Sequence, residues 1–261
     1  MSIKAVMFDL DDTLLWDEKS VEEAFYETCL YASNQCGVDP HELEVSVRNE
    51  ARKLYESYET YPFTKMIGIN PFEGLWADFN AGEQPEFRKL EELAPGYRKD
   101  AWTKGLAALG VNDSELGTAL ADKFGEERRS RPYMYDETLE VLTELKGKVK
   151  LLLLTNGCPS LQQEKLDGVP DLVPYFDHII ISGKFGKGKP DATIFHHALS
   201  QLDVSAEEAL MVGDKLTTDI KGALSAGIKA VWINRNEKIN DQSFQPDVEI
   251  KHLTEIYGLL S

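Results

Sequence analysis

The chain has 261 residues, 42% of them hydrophobic and 28% charged, with a formal charge of −17 and a pI of about 4.7. That length suits one large domain or two modest ones, each with a sizeable core. So acidic a chain is expected to repel nucleic-acid backbones and anionic membranes, so neither is an expected partner, and an anionic small-molecule substrate would need a local positive pocket or a metal.

Residues 3–9 read as a buried strand that ends in Phe8-Asp9-Leu10-Asp11. From about 17 to 130 the texture is helical, with Val21, Ala24, Phe25 and Cys29 and later Val45, Val47, Ala51, Leu54, Tyr55 and Tyr58 at helical spacing. A stretch from Tyr61-Pro62-Phe63 to Gln84-Pro85 inside it reads as loop. From about 136 helices and strands alternate. Asp136 is placed to cap a helix carrying Leu139, Leu142 and Leu145, which Gly147 ends. Residues 149–154 read as a buried strand, followed by a helix at about 160–167 and a short strand at 178–181. Pro190 suits the first turn of a helix with Ile194, Phe195, Ala198, Leu199 and Leu202 on one side. A strand at 209–212 runs into Gly213-Asp214, a helix from about 218 stops near Gly227, and a last strand covers 230–233.

Strands that are apolar throughout are buried on both faces, as in a parallel sheet covered by helices. The first strand must join that sheet, since alone it has no partner. The expected architecture is therefore α/β: a Rossmann-like parallel-sheet core from 1–16 and 132–261, with a helical cap domain, 17–131, inserted after the first strand.

Three cysteines, Cys29, Cys36 and Cys158, show no metal-ligand spacing, and an odd count argues against a disulfide framework. Met1-Ser2-Ile3-Lys4 leads straight into strand-like sequence, unlike a signal peptide. Apolar runs such as 151–154 are far too short to span a bilayer. A cytoplasmic protein is expected, monomer or homodimer.

Two carboxylates at i and i+2 of a strand point to one face. So close a pair repels, and at least one must be protonated, paired or metal-bound. That is a setting for phosphoryl chemistry, in which one Asp attacks, the other handles the proton and a divalent cation offsets the charge. Thr155-Asn156-Gly157, Lys189 and Gly213-Asp214 with Asp219 fall at further strand ends or helix starts. Ligands of open α/β sheets bind outside the carboxyl ends of strands.

Asp9-Leu10-Asp11-Asp12-Thr13, Leu153-Leu154-Thr155-Asn156-Gly157, Lys189-Pro190 and Gly213-Asp214 with Asp219 resemble, in order, the four motifs of the haloacid dehalogenase-like (HAD) hydrolase superfamily. Insertion directly after the first motif resembles the helical C1-cap subclass. Val149–Gly157 and Met211–Asn234 resemble the N-acylneuraminate-9-phosphatase and pyrimidine 5′-nucleotidase branch. The resemblance implies an Mg²⁺-dependent phosphatase acting on a small phosphomonoester through an aspartyl-phosphate. Sugar phosphates, nucleoside monophosphates and phosphoglycolate-like esters all fit a helical cap. Asp9 is the implied nucleophile and Asp11 the general acid and base. Thr155 and Lys189 are the implied binders of the transferred phosphoryl group, with Asn156 assisting. The implied magnesium ligands are the Asp9 side chain, the Asp11 carbonyl and Asp214, with Asp219 acting behind them or through water.

A non-acidic residue is usual at the Asp11 position of dehalogenases, so Asp11 disfavours that activity. A phosphomutase or a catalytically silent phosphate-binding member is the alternative. A phospho-accepting receiver domain uses similar residues, but its motif order does not match. In the cap, Arg128-Arg129-Ser130-Arg131 reads as a solvated run pairing with Glu126 and Glu127. Trp76, Tyr97 and Trp102 read as core, and His196 and His197 as surface or packing residues.

Overall fold

The structure, a computed structural model, describes residues 2–260. In chain order it has β1 (Ala5–Phe8), α1 (Asp17–Cys36), α2 (Pro40–Ser57), α3 (Tyr61–Ile67), α4 (Pro71–Gly74), α5 (Pro85–Ala108), α6 (Ser114–Arg129) and α7 (Thr138–Leu145). Then follow β2 (Lys150–Thr155), α8 (Pro159–Asp167), β3 (His178–Ile181), α9 (Ser182–Phe185), α10 (Ala192–Leu202), β4 (Ala209–Gly213), α11 (Lys221–Ser225), β5 (Lys229–Ile233) and β6 (Val248–Ile250). The chain divides into two compact units. One holds residues up to 17, 133–157 and 169 onward; the other holds 18–132 and 158–168.

The first unit is built on a six-stranded sheet of order β3-β2-β1-β4-β5-β6, with every pairing parallel. β1 lies inside it, Ala5 in register with Lys150 on one side and Ala209 on the other. Strand residues alternate between faces. Ala5, Met7, Leu152, Leu154, Ala209, Met211, Ala230 and Trp232 share a core cluster with Ile194, Phe195, Ala198, Leu199 and Leu202 of α10. The other set, including Val6, Phe8, Leu151, Leu153, Leu210 and Val212, is buried too. Both faces are therefore covered, which is why these strands read as unbroken apolar runs. The α/β parallel-sheet expectation holds.

Several local expectations differ. α7 begins after Glu137, and no side-chain cap bond is made there, so Asp136 is not its cap. α10 begins after Asp191, whose side chain accepts from the Thr193 amide at 2.9 Å; Pro190 precedes that cap. The 61–85 stretch contains α3 and α4. Asn70 and Glu73 form a reciprocal capping box that starts α4, stronger local chemistry than the prolines suggested. The helix expected from 218 is a π turn over Leu216–Ile220 leading into the short α11. β6 and the 3₁₀ turn Leu253–Leu259 were not foreseen.

The second unit is helical. Phe25, Trp102 and Phe124 pack with ring centroids 4.5–5.8 Å apart, and Phe87, Leu43, Val47 and Leu106 are fully buried around them. Gly105 lets α5 lie against α2, because an added Cβ would fall 2.4 Å from the Val47 side chain. The helical segment was drawn from the sequence as 17–131. In the structure α8, which follows the Thr155-Asn156-Gly157 motif, groups with it as well. Cys158 and Leu161 join its core, and Lys165 forms a buried ion pair with Glu73 at 3.2 Å. Among the described residues no helix is long and apolar enough to cross a membrane.

Candidate active site

Parallel pairing puts the carboxyl ends of β1, β2 and β4 side by side, and the polar motifs follow from there. Asp9 comes directly after β1, its amide bonded to the Val212 carbonyl at 2.9 Å, and the residue is only 8% exposed. The Lys189 Nζ donates to Asp9 Oδ1 at 2.6 Å and to the Leu154 carbonyl at 2.7 Å, and pairs with Asp219 Oδ1 at 2.7 Å. One buried ammonium thus joins the ends of β1 and β2 to the segment after β4. Lys184 and Lys187, the other cations of that stretch, are exposed, and Lys187 pairs with Asp191 instead.

Asn156 holds Lys189 in place. Its Nδ2 donates to the Lys189 carbonyl at 2.9 Å, and its Oδ1 accepts from the Lys189 amide at 2.8 Å. Both ends of its side-chain amide are thus engaged by this backbone. Thr155 is buried at the end of β2, its hydroxyl 3.4 Å from the Asn156 carbonyl. Gly157 follows, its amide donating to Ser182 Oγ at 2.9 Å.

After β4, Gly213 makes room for Asp219. A Cβ on Gly213 would sit 2.4 Å from Asp219 Oδ2, so any other residue would push that carboxylate away. Asp219 is fully buried and also accepts from the Lys215 amide at 3.0 Å. It pairs directly with Lys189. Asp9, Asp214 and Asp219 each offer an oxygen within 4.8 Å of the others.

Asp11 lies in the turn that follows. Asp12 there takes a left-handed backbone, φ 58°, and the Leu14 and Leu15 amides both donate to the Leu10 carbonyl at 2.9 Å. Thr13 is fully buried at the far side of the turn.

Three carboxylates around one ammonium leave a surplus of negative charge in a poorly solvated place. Burial pushes the Asp9 carboxyl up from 3.8 to about 6, Lys189 pulling it down and Asp219 pushing it up. Burial, and then the charges of Asp219, Asp9 and Asp12, hold Asp214 well above the usual carboxylate range, with Lys215 opposing. Burial alone would lower the Lys189 pKa, but Asp219 and Asp9 more than offset it, and the group is held as an ammonium.

Elsewhere the residues singled out fall as follows. Trp76, Tyr97 and Trp102 are core of the helical unit. The arginine run is not uniformly solvated: Arg128 is buried with its guanidinium 4.8 Å over the Trp76 ring, Arg129 pairs with Glu164 at 2.6 Å, and Arg131 pairs with Glu127 and Glu23. His196 is exposed, and His197 stacks on Phe185 at 5.0 Å. Cys29 and Cys158 are buried thiols whose pKa burial raises, to about 12 for Cys29, which keeps them protonated and unreactive. Sequence reasoning missed the Leu154 carbonyl as a partner of Lys189 and the steric need for Gly213. The Gly-Asp pair at a strand end is the signal that points to the second.

A model of the haloacid dehalogenase-like hydrolases matches residues 3–227. A phosphoserine phosphatase of Thermus thermophilus is 36% identical over 256 residues, 98% of each chain. An N-acylneuraminate-9-phosphatase of Mus musculus is 36% identical over 160 residues, 60% of this chain and 62% of that one. Among solved structures, the Bacillus subtilis protein YfnB bound to magnesium superposes with a TM-score of 0.66 at 23% identity, over the full length of both chains, and so shares the fold. The chain belongs to the haloacid dehalogenase-like hydrolase family and is a hydrolase with phosphatases by name among its relatives.

Proposed function

We propose that this chain is an Mg²⁺-dependent phosphatase of a small phosphomonoester, working through an aspartyl-phosphate on Asp9. The observation that carries the reading is Asp9 itself. It is a buried carboxylate at a strand's carboxyl end, 2.6 Å from the Lys189 ammonium and grouped with Asp214 and Asp219.

The donor set suits magnesium. It consists of hard carboxylate oxygens, and its surplus negative charge is what a divalent cation would neutralise. Asp9, the Asp11 carbonyl and Asp214 would hold the ion, and Asp219 would support it from behind. When bound, the ion draws negative charge off the phosphoryl oxygens and lets an anionic ester approach an anionic site.

Asp9 supplies the nucleophilic oxygen, and Lys189 holds that side chain in one orientation while presenting positive charge to the transferring group. Thr155 offers a hydroxyl to the same group. Asp11 gives its proton to the departing alcohol oxygen and then takes one from the water that cleaves the aspartyl-phosphate. Asn156 acts by fixing the Lys189 backbone. The candidate substrates include sugar phosphates, nucleoside monophosphates, phosphoglycolate-like esters, and the phosphoserine and N-acylneuraminate 9-phosphate of the relatives' names.

The test is phosphate release from a panel of these esters, with Mg²⁺ or with EDTA, beside Asp9→Asn. Metal-dependent release that Asp9→Asn abolishes is expected. Release of wild-type rate by Asp9→Asn removes Asp9 as nucleophile. Binding of Mg²⁺ and phosphate without release from any ester favours a mutase or a silent member.

A further inference from the structure

The turn carrying Asp11 is held by a residue 222 positions away in sequence. Arg235, just after β5, donates from Nη2 to the Thr13 carbonyl at 3.2 Å and from Nη1 to Glu137 Oε1 at 2.6 Å. Its guanidinium carbon lies over the Tyr135 ring, 3.6 Å from the centroid. Tyr135 in turn stacks on Trp16 at 5.3 Å and donates its amide to the Leu14 carbonyl. Glu137 is 7% exposed and also accepts from the Leu253 amide at 3.4 Å, so the carboxylate that anchors Arg235 is itself anchored. A guanidinium is a rigid planar fork, able to fix two acceptors and a ring at once.

This arrangement has work to do. Asp12 sits in a left-handed conformation that an aspartate adopts at some cost, so the turn from Asp9 to Thr13 needs restraint at its far end. Thr13 is two residues beyond Asp11. Fixing its carbonyl fixes the Thr13–Leu14 peptide plane and so restrains the turn just beyond Asp11.

We propose that Arg235 is a positioning residue for Asp11. It locks the turn after the first strand so that the acid is aligned with the leaving oxygen. The kinetic part rests on the phosphatase reading above; the restraint of the turn does not. The chemistry gives a selective readout. An alkyl alkoxide needs a proton to depart, whereas p-nitrophenolate does not. Displacement of an acid therefore lowers kcat/KM for alkyl esters more than for p-nitrophenyl phosphate, and general destabilisation lowers both alike.

The experiment compares wild type, Arg235→Met and Arg235→Lys on an alkyl phosphate and on p-nitrophenyl phosphate, with amide hydrogen exchange on the same proteins. Lysine keeps the charge beside Glu137 but cannot span to Thr13 with a fork, so it serves if the methionine variant folds poorly. The expected loss in kcat/KM for the alkyl ester is about 10- to 100-fold, with a much smaller loss for the aryl ester. Faster exchange is expected at the Leu14 and Leu15 amides, with Met7 and Leu152 in the sheet still protected. Equal losses on the two esters overturn the alignment of Asp11. Unchanged exchange at Leu14 and Leu15 overturns the restraint. If wild type hydrolyses neither ester, the phosphatase reading fails and the alignment falls with it, while exchange still decides the restraint.

Discussion

Replacing Asp214 by asparagine should stabilise this protein when no metal is present. The exchange keeps the shape of the side chain and removes a charge. The Asp214 backbone carbonyl, which accepts from the Trp232 indole at 2.8 Å, is untouched. Oxygens of Asp9, Asp214 and Asp219 lie within 4.8 Å of each other. Two like charges at that distance repel by about 3 kcal/mol at an effective dielectric of about 20. Lys189 bonds directly to Asp9 and Asp219 and cancels roughly one of those two charges. About one uncompensated neighbour remains, so the gain is about 2–3 kcal/mol, or roughly 5–10 °C in melting temperature for a chain of this size. A carboxyl whose folded pKa is raised contributes stability below its unfolded pKa and loses it as pH rises through the folded value. The Asp214 pKa is raised well above 3.8, so the gap between variant and wild type should widen as pH is raised. Melting curves in EDTA from pH 5 to 9 measure this directly, and the same curves with Mg²⁺ should show the order reversed, because the ion stabilises wild type by binding. A variant that melts at or below wild type in EDTA at pH 8 would refute the reasoning.

Three further outcomes follow from particular contacts. Gly213→Ala puts a methyl 2.4 Å from Asp219 Oδ2, so it should cost about 1–3 kcal/mol in a chemical denaturation series and weaken Mg²⁺ affinity in calorimetry. Lys165→Met removes the Lys165 ammonium from Glu73 and should destabilise by about 3–5 kcal/mol; a loss below about 1 kcal/mol would mean that the pair is not isolated from water. Burial raises the Glu137 pKa, but its hydrogen bonds and Arg235 outweigh that and hold it below 4.5. The stability this gives is present above 4.5 and lost as pH falls through the lowered value, so Glu137→Gln should show a flatter acid-denaturation profile than wild type.

The sheet was legible because its strands are buried on both faces, so Ala5–Phe8, 151–154 and 209–212 carry no polar interruption to confuse the period. The site was legible for a related reason. Polar residues stand out where an apolar run stops, as at Asp9, Thr155 and Asp214. Contacts that depend on three-dimensional closure were hidden. Nothing in the sequence says that α8 groups with the helical unit, since its Leu161 and Lys165 would suit either neighbour. The bonds of the Asn156 side chain to the Lys189 backbone were hidden, because nothing in the sequence places residues 33 positions apart side by side. The burial of Arg128 was hidden by its charged neighbours, since only the fold brings Trp76 beneath its guanidinium. β6 is three residues long, with Val248 and Glu249 partly exposed, too short for any periodicity.

The place of β1 inside the sheet also constrains how the chain folds. Ala5 pairs with Lys150 and Ala209, so β1 finds its neighbours only after the whole inserted segment has been made. By then all of the helical unit except α8 has also been made. Leu15 and Met134 pair as an antiparallel bridge, so the two ends of that segment are neighbours in the finished unit. A segment folded first with its ends together shortens the loop that β1 must close to reach β2, and lowers the entropy cost of that step. A helical segment that forms before residue 150 is made would leave β1 the shorter search.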